Sequence, residues 1–309
     1  MIPVNSVLQV GYFPEIMQAE IDRRFKPTRH LDPAAPAPEG NFEAILIRSN
    51  TKLPEALVKQ LPNLQMVATC GVGYDNLPLS YLRERGVKAS NTPGVLNDAV
   101  CELAIGMMFG LLRRIPEAQD FVKSTEWSKG LFKITTTLAG KRVGIAGMGR
   151  IGQDLAERLI PFKVEIAYSG PNPKNVPYTY FKNVKDLAAA CDVLFLACPA
   201  TPDTDKMINA EVLDALGPNG YLINIARGSV VDETALLYAL QHKKIAGAAL
   251  DVFENEPNPN AAFLNLDNVL LTPHIGSATS ETRIAMTNLA VDNLEAFFNQ
   301  QPLLTEVKN

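Results

Sequence analysis

Residues 141–159, KRVGIAGMGRIGQDLAERL, decide the fold of this 309-residue chain. The apolar run at 142–146 predicts a buried strand, and the segment that ends at residue 159 predicts a helix. Between them lies the spacing G-x-G-x-x-G, whose glycines allow a tight turn, close approach of a pyrophosphate and close packing of helix on strand. A dinucleotide cofactor is therefore expected here, bound by Gly147, Gly149, Arg150, Ile151 and Gly152.

Strand and helix patterns alternate on both sides of this stretch. Apolar, β-branched runs predict strands at 7–10, 44–47, 66–69, 142–146, 164–168, 193–197, 221–225, 247–250 and 269–271. Helical segments lie between them, for example at 54–60, 151–159 and 233–241. This alternation predicts an α/β fold with two Rossmann-like or flavodoxin-like parallel-sheet domains and a cleft between them.

Two long predicted helices, at 98–115 and 280–299, mark the expected domain boundaries. The length of the chain favours about two domains. We expect a discontinuous substrate-binding domain formed by residues 1–97 and 280–309. Residues 98–279 are expected to form the dinucleotide-binding Rossmann domain.

Composition excludes several classes of function. The net charge of -4 argues against a nucleic-acid binder, which would need a basic surface. The longest apolar run, 103–112, is about half of what a membrane span requires, and the N-terminus lacks the pattern of a targeting segment. The four cysteines form no C-x-x-C pair, which predicts free thiols, no metal site and a cytoplasmic location.

The end of the strand predicted at 164–168 bears on the choice of cofactor. Dinucleotide sites that prefer NAD(H) usually carry an acid there for the ribose 2′-hydroxyl, and this chain has none. The polar residues at this place, which could donate hydrogen bonds to a 2′-phosphate, are Ser169, Asn172 and Lys174. We therefore predict a preference for NADP(H); the alternative is a relaxed site that also uses NAD(H).

Polar side chains follow three successive predicted strands near the C-terminal end of the second domain. Arg227 follows the strand at 221–225, acids including Glu256 follow the strand at 247–250, and His274 follows the strand at 269–271. The cleft beyond the carboxyl ends of such strands is where ligands bind. Imidazole exchanges protons near neutral pH, so His274 is the candidate acid–base group. A structural histidine is the alternative interpretation.

The other two histidines are weaker candidates. His30 lies in a Pro-rich segment that predicts a loop, and His242 lies at a predicted solvated helix end.

The chain resembles the D-isomer-specific 2-hydroxyacid dehydrogenases. The matching segments are 71–76, 147–152, 225–228, 250–257 and 272–276, and they follow the order of the family over nearly the whole chain. Within the family, the missing strand-end acid and the short length are most similar to the NADPH-dependent hydroxypyruvate/glyoxylate reductases.

The resemblance implies a role for each catalytic residue. His274 would protonate the keto oxygen as hydride arrives, and Glu256 would orient the imidazole and favour its charged form. Arg227 would bind the substrate carboxylate and polarise the keto group. The backbone N–H groups of Val72 and Gly73 would hold the same carboxylate.

Further contacts follow from the same resemblance. Pro199 and Thr201 would contact the nicotinamide ribose, Asp251 would meet the nicotinamide amide, and Gly276 would belong to the cofactor site. Arg48 would line the substrate cleft. Trp127 would reach across the interface of a homodimer, or else pack in the core.

The expected function is NADPH-dependent reduction of a small 2-keto acid, glyoxylate or hydroxypyruvate, to the D-2-hydroxy acid. One alternative is reduction of a longer sugar acid such as 2-ketogluconate. A non-enzyme alternative is a dinucleotide-sensing corepressor, but those relatives have long tails and this chain has little excess length. Relatives that resemble formate dehydrogenase pair the histidine with glutamine, whereas this chain has Glu256.

Overall fold

A computed structural model describes residues 2–307 of the chain. The chain forms two compact units. The first unit contains the residues up to Leu96 and those from Ser277 onward. The second unit is Asn97–Gly276. Each unit is built on one parallel sheet with helices packed against it. This architecture confirms the predicted α/β class with two parallel sheets.

The sheet of the first unit has five strands in the order β2-β1-β3-β4-β5. Its strands are β1 Val7–Val10, β2 Thr28–His30, β3 Ala44–Arg48, β4 Met66–Cys70 and β5 Lys88–Ser90. Its helices are α1 Glu15–Arg24, α2 Glu55–Lys59, α3 Leu79–Glu84 and α10 Ser280–Phe298. Every residue of β1 and β4 is buried, as expected for strands covered on both faces. Helix α10 packs against α1 and β4, which joins the last segment of the chain to the first unit.

Two strands of this sheet are absent from the sequence-based prediction. The sequence pattern does not predict β5. It predicts a loop at His30, whereas His30 is the last residue of β2. His30 pairs with Val10 in parallel register and is buried. Each of these strands has only three residues, and both lie at sheet edges, so neither gives a clear hydrophobic pattern.

The sheet of the second unit has seven strands in the order β12-β11-β10-β9-β6-β7-β8. Its strands are β6 Arg142–Ala146, β7 Glu165–Ser169, β8 Thr179–Phe181, β9 Val193–Leu196, β10 Tyr221–Asn224, β11 Gly247–Leu250 and β12 Val269–Leu271. Its helices are α4 Asn97–Leu112, α5 Ile115–Lys123, α6 Arg150–Leu159, α7 Val184–Ala189, α8 Ala210–Leu216 and α9 Glu233–Gln241. The edge strand β8 was missed by the prediction for the same reason as β2.

The helix predicted at 98–115 ends earlier than expected. Helix α4 ends at Leu112, and α5 begins at Ile115 with a proline in its first turn. Arg114 between them has a left-handed backbone with φ +50°, which interrupts the helical path. The apolar run ends at Leu112, and the prediction extended the helix past Arg113 and Arg114 to Ile115.

Strand β6 is the point at which the order of the second sheet reverses. The chain runs outward from β6 to β7 and β8, then returns to the other side of β6 to build β9 through β12. In open α/β sheets, ligands bind beyond the carboxyl ends of the strands at such a point. The fold therefore places the loop after β6, with its glycines, where a ligand site is expected.

Packing around that loop depends on two glycines that leave no room for a side chain. Gly147 has φ +105°, and a Cβ on it would approach the backbone of Cys198 to 2.6 Å. A Cβ on Gly152 would collide with the carbonyl oxygen of Gly147. The start of α6 thus lies directly against the turn that follows β6.

Two further findings concern the chain as a whole. Across residues 2–307, no helix combines the length and the hydropathy that crossing a membrane requires. Cys70, Cys101 and Cys191 are buried free thiols, and Cys198 is partly buried and also free. Burial raises the pKa of Cys198 to about 11, so its thiol is neutral at physiological pH.

Replacing Gly152 by alanine is expected to lower the free energy of unfolding by about 1–3 kcal/mol, because the added methyl group forces α6 away from Gly147. Urea denaturation followed by circular dichroism measures the change. Gly170→Ala is the matched control, since its Cβ would meet no atom within 4 Å. Equal stability of the Gly152→Ala variant and the wild type would contradict the close packing.

Candidate active site

The loop after β6 has the features of an anion site. Gly149 caps α6 without a side chain, so the first N–H groups of the helix receive no side-chain hydrogen bond. A methyl group on Gly149 would meet nothing within 4 Å, which leaves the backbone open to a ligand. Arg150 is exposed at the start of the helix. These features fit the pyrophosphate of a dinucleotide, because both the N–H groups and the helix dipole favour an anion.

The segment after β7 lies beside this loop. Ala146 at the end of β6 pairs with Ser169 at the end of β7, so the two strand ends are adjacent. Tyr168 fixes the segment through its hydroxyl, which accepts a hydrogen bond from the backbone N–H of Lys174 at 2.7 Å. Ser169 is buried, whereas Asn172 and Lys174 are exposed. The segment 169–174 therefore presents an amide and a cation, and it carries no carboxylate.

A third loop of this edge follows β9. The hydroxyl of Thr204 donates to the carbonyl of Pro199 at 2.7 Å and accepts from the backbone N–H of Thr201 at 2.8 Å. The side chains of Pro199 and Thr201 are exposed. Thr204 was not singled out in the sequence, and its role in shaping this turn appears only in the structure.

Arg227 follows β10 and is positioned by the last residue of that strand. Asn224 is buried; its side chain accepts from the backbone N–H of Ala226 at 2.9 Å and donates to the carbonyl of Arg227 at 3.0 Å. These two bonds fix the turn from which the guanidinium extends. In the sequence, the only sign of this role was that Asn224 is a polar residue at the end of an otherwise apolar strand.

Glu256 and His274 are in direct contact. The Nδ1 atom of His274 lies 2.7 Å from Oε2 of Glu256, and Oε1 of Glu256 accepts from the backbone N–H of Phe253 at 3.1 Å. Burial raises the pKa of Glu256, but the hydrogen bond and charge of His274, with a contribution from Arg227, hold it below its ordinary value of 4.5. Glu256 is therefore ionised at neutral pH, and its carboxylate fixes the imidazole orientation, leaving Nε2 available.

The loop that carries His274 is held by Asp251. This buried carboxylate accepts from the hydroxyl of Thr272 at 2.7 Å and from the backbone N–H groups of Ile275 and Gly276 at 2.8 and 2.9 Å. Between these anchors His274 has φ +53°, a left-handed conformation that is costly for a residue with a Cβ. The prediction for Asp251 was a cofactor contact, and its hold on this loop was missed.

Two further contacts bring Arg227 and Glu256 together. A Cβ on Gly228 would overlap the backbone of Phe253, so the turn after β10 lies directly against the segment after β11. Glu233, at the start of α9, accepts from the backbone N–H of Glu254 at 2.7 Å. In the sequence Glu233 was part of a predicted helix and gave no sign of this contact.

The predicted site residues of the first unit form a separate group. Arg48 ends β3 and pairs in register with Cys70, the last residue of β4. The turn after β4 contains Val72, whose carbonyl accepts from the side chain of Asn91 at 2.8 Å. Among residues 2–307, no acceptor is found for the backbone N–H groups of Val72 and Gly73. The first unit thus presents two free backbone donors beside a cationic side chain.

Two further predictions concern Trp127 and the absence of a metal site. Trp127 lies in a short 3-10 helix with 65% of its surface exposed, so packing in the core of its own chain is excluded. Within residues 2–307, no three His, Cys, Asp or Glu side chains are grouped as metal ligands would be.

Comparison with known proteins places these residues in a family context. The family model for the D-isomer specific 2-hydroxyacid dehydrogenase, NAD binding domain, matches residues 105–276. Hydroxyphenylpyruvate reductase from Plectranthus scutellarioides is 45% identical over 98% of both chains. The 2-ketogluconate reductase from Gluconobacter oxydans is 40% identical, again over 98% of both.

A solved structure agrees closely with the whole chain. The NADPH-dependent glyoxylate/hydroxypyruvate reductase from Sinorhizobium meliloti, crystallised with NADP and malonate, superposes with a TM-score of 0.94. It is 40% identical, and the alignment covers 99% of this chain and 97% of the other.

Replacing Asp251 by asparagine is expected to loosen the 272–276 loop, since an amide offers one acceptor oxygen where three donors converge. We expect a loss of about 1–3 kcal/mol in the free energy of unfolding. Hydrogen exchange of the Ile275 and Gly276 amides should accelerate more than exchange in the core strands. Asp203→Asn, at an exposed position, is the control. Unchanged exchange at both amides would rule out this role of Asp251.

Proposed function

Because the chain belongs to the D-isomer-specific 2-hydroxyacid dehydrogenase family, we propose that it reduces small 2-keto acids to D-2-hydroxy acids with NADPH. Glyoxylate and hydroxypyruvate are the substrates we assign to it. The observation that carries the proposal is the 2.7 Å contact between His274 and Glu256 at strand ends adjoining that of Arg227. The Sinorhizobium meliloti reductase supports the choice of substrate and cofactor.

In this proposal His274 is the proton donor. Glu256 holds the imidazole through Nδ1, and its negative charge stabilises the protonated ring, so that Nε2 delivers a proton to the keto oxygen. In the reverse direction the same atom takes the proton from the hydroxyl group. Asp251 keeps the ring in place through the loop, and its hydrogen bonds go to Thr272, Ile275 and Gly276.

Arg227 binds the carboxylate of the keto acid and polarises its carbonyl group. A planar guanidinium can donate two parallel hydrogen bonds to a carboxylate, which orients the substrate as well as binding it. The first unit is the substrate domain in this proposal, and there the free N–H groups of Val72 and Gly73 bind a substrate carboxylate.

The cofactor is held by the residues of the second unit. Gly147, Gly149, Gly152 and the first turn of α6 take the pyrophosphate, and Asn172 and Lys174 take the 2′-phosphate. Pro199, Thr201, Asp251 and Gly276 would hold the nicotinamide end. When bound, NADPH supplies the hydride that reduces the keto carbon.

A second candidate activity is reduction of 2-ketogluconate. The relative from Gluconobacter oxydans carries that name at 40% identity, and the same catalytic groups serve a longer acid. We also propose a homodimer, supported by the exposed apolar side chains along residues 115–134 of the second unit: Ile115, Val122, Trp127, Leu131 and Ile134. A cytoplasmic location is supported by the free cysteines.

The function is tested by NADPH oxidation with glyoxylate, hydroxypyruvate, pyruvate and 2-ketogluconate. We expect turnover with the first two acids, and His274→Ala should lose at least about a hundredfold in kcat, because the proton donor is removed. His242→Ala, at an exposed helix end, is the control that should retain full activity. The proposal fails if no acid in the panel is reduced, or if His274→Ala keeps near-normal kcat.

Cofactor preference is tested separately, with kcat/KM measured for NADPH and NADH. We expect NADPH to be favoured. The Lys174→Ala variant should show a preference for NADPH that is roughly fivefold smaller, because it loses one exposed charge-assisted hydrogen bond to the 2′-phosphate. Lys182→Ala, also exposed, is the matched control. A wild-type enzyme that favours NADH would show that the 169–174 segment does not select the phosphate.

A further inference from the structure

The segment 303–307, which follows α10, lies along the β5 edge of the first sheet. Glu306 forms an antiparallel bridge with Ser90, and the backbone N–H of Val307 donates to the carbonyl of Ala89 at 2.9 Å. Strand β5 is thereby paired on both of its sides, with β4 and with this segment. The pairing covers the sheet edge, but it does not account for the buried polar side chains that meet at the same place.

Asn293 of α10 is fully buried, and its amide forms two hydrogen bonds with Thr305. Its Oδ1 atom accepts from the backbone N–H of Thr305 at 3.1 Å, and its Nδ2 atom donates to the hydroxyl of Thr305 at 2.8 Å. The same Nδ2 atom donates to the carbonyl of Leu289 at 2.8 Å. A buried amide costs free energy unless it is paired, so Asn293 favours one position of Thr305.

Thr305 in turn holds Asn91, the residue after β5. The hydroxyl of Thr305 donates to the carbonyl of Asn91 at 2.6 Å, and the backbone N–H of Asn91 donates to the carbonyl of Thr305 at 3.3 Å. The side chain of Asn91 extends to the turn after β4, where its Nδ2 atom donates to the carbonyl of Val72 at 2.8 Å. Asn293, Thr305 and Asn91 thus form one continuous series of hydrogen bonds, called the amide relay below.

Thr92 holds the same turn one residue earlier. Its buried hydroxyl accepts from the backbone N–H of Gly71 at 2.9 Å, and its own backbone N–H donates to the carbonyl of Gly71 at 2.8 Å. The carbonyl groups of Gly71 and Val72 therefore both accept hydrogen bonds from the segment after β5.

These two carbonyl groups belong to the peptide units that carry the free donors of the turn. A trans peptide is planar, so its carbonyl and the N–H of the next residue point in opposite directions and rotate together. The hydrogen bond to the carbonyl of Gly71 thus fixes the N–H of Val72. The hydrogen bond from Asn91 to the carbonyl of Val72 fixes the N–H of Gly73 in the same way.

We infer that the amide relay positions the 71–73 turn for binding of a substrate carboxylate. The inference rests on the proposed function, in which the N–H groups of Val72 and Gly73 bind that carboxylate. Successive N–H groups bind an anion when their directions converge, and a turn that is fixed beforehand loses less entropy on binding. Asn91 and Thr305 are positioning residues, since they act through the turn and not on the substrate.

The test measures initial rates against glyoxylate concentration at saturating NADPH for Thr305→Val and Asn91→Leu. Each variant replaces a polar side chain by an apolar one of similar size. We expect KM for glyoxylate to rise roughly fivefold or more, because the turn loses a hydrogen bond that orients it. The carboxylate is bound equally in the ground state and the transition state, so kcat should change less than about twofold.

Two controls separate this role from a general loss of stability. Ser6→Ala also removes a buried hydroxyl, which donates to the carbonyl of Pro3 at 2.7 Å, but it lies before β1 at the opposite end of the strands. This variant should leave KM for glyoxylate unchanged. Thr305→Ser keeps the hydroxyl and should restore KM to within about twofold of the wild type.

Amide hydrogen exchange gives a readout that is independent of activity. Exchange at Gly71 and Thr92, whose N–H groups take part in the bonds that hold the turn, should accelerate in Thr305→Val. It should stay at the wild-type rate in Ser6→Ala.

The outcomes distinguish this inference from the function beneath it. If the wild type reduces no 2-keto acid, the proposed function fails and the inference falls with it. The inference alone is overturned if the wild type is active but Thr305→Val raises KM for glyoxylate no more than Ser6→Ala does. It is also overturned if Thr305→Ser fails to restore KM, or if exchange at Gly71 and Thr92 is unchanged in Thr305→Val.

Discussion

Asp251 accepts hydrogen bonds from the hydroxyl of Thr272 and from the amides of Ile275 and Gly276, and the candidate catalytic centre depends on these contacts. They hold His274 in a left-handed backbone conformation that a residue with a Cβ rarely adopts. The imidazole then meets the carboxylate of Glu256 at 2.7 Å. A buried carboxylate with three donors is a rigid anchor, so the position of the ring follows from the backbone beneath it.

The same principle recurs around Arg227 and Glu256. Asn224 fixes the turn of Arg227, and Glu233 fixes the segment that leads to Glu256. Gly228 lets the two segments lie in direct contact. The groups proposed to act on substrate are thus supported by residues that would not touch it. The first unit differs, because among residues 2–307 no acceptor is found for the backbone N–H groups of Val72 and Gly73 or for Nε of Arg48.

The sequence was sufficient for the α/β class because long apolar strands and a glycine loop between strand and helix leave strong patterns. It failed for β2, β5 and β8, which are edge strands of three residues. It also failed for the break at Arg114, because the helix was extended beyond the apolar run that ends at Leu112. Arg227, Glu256 and His274 were selected because each follows a strand, and parallel strands bring their carboxyl ends to one edge. Their chemical roles remain predictions.

By itself, the sequence determined the two parallel sheets, the position of the glycine loop after β6 and the residue types available at the strand ends. These depend on local pattern: apolar periodicity, glycine spacing and the residue that follows each strand. Only the tertiary structure decided that Asp251 anchors the loop of His274 and that Glu233 supports the segment of Glu256. The physical reason is that each contact joins residues far apart in the chain, so no local pattern records it.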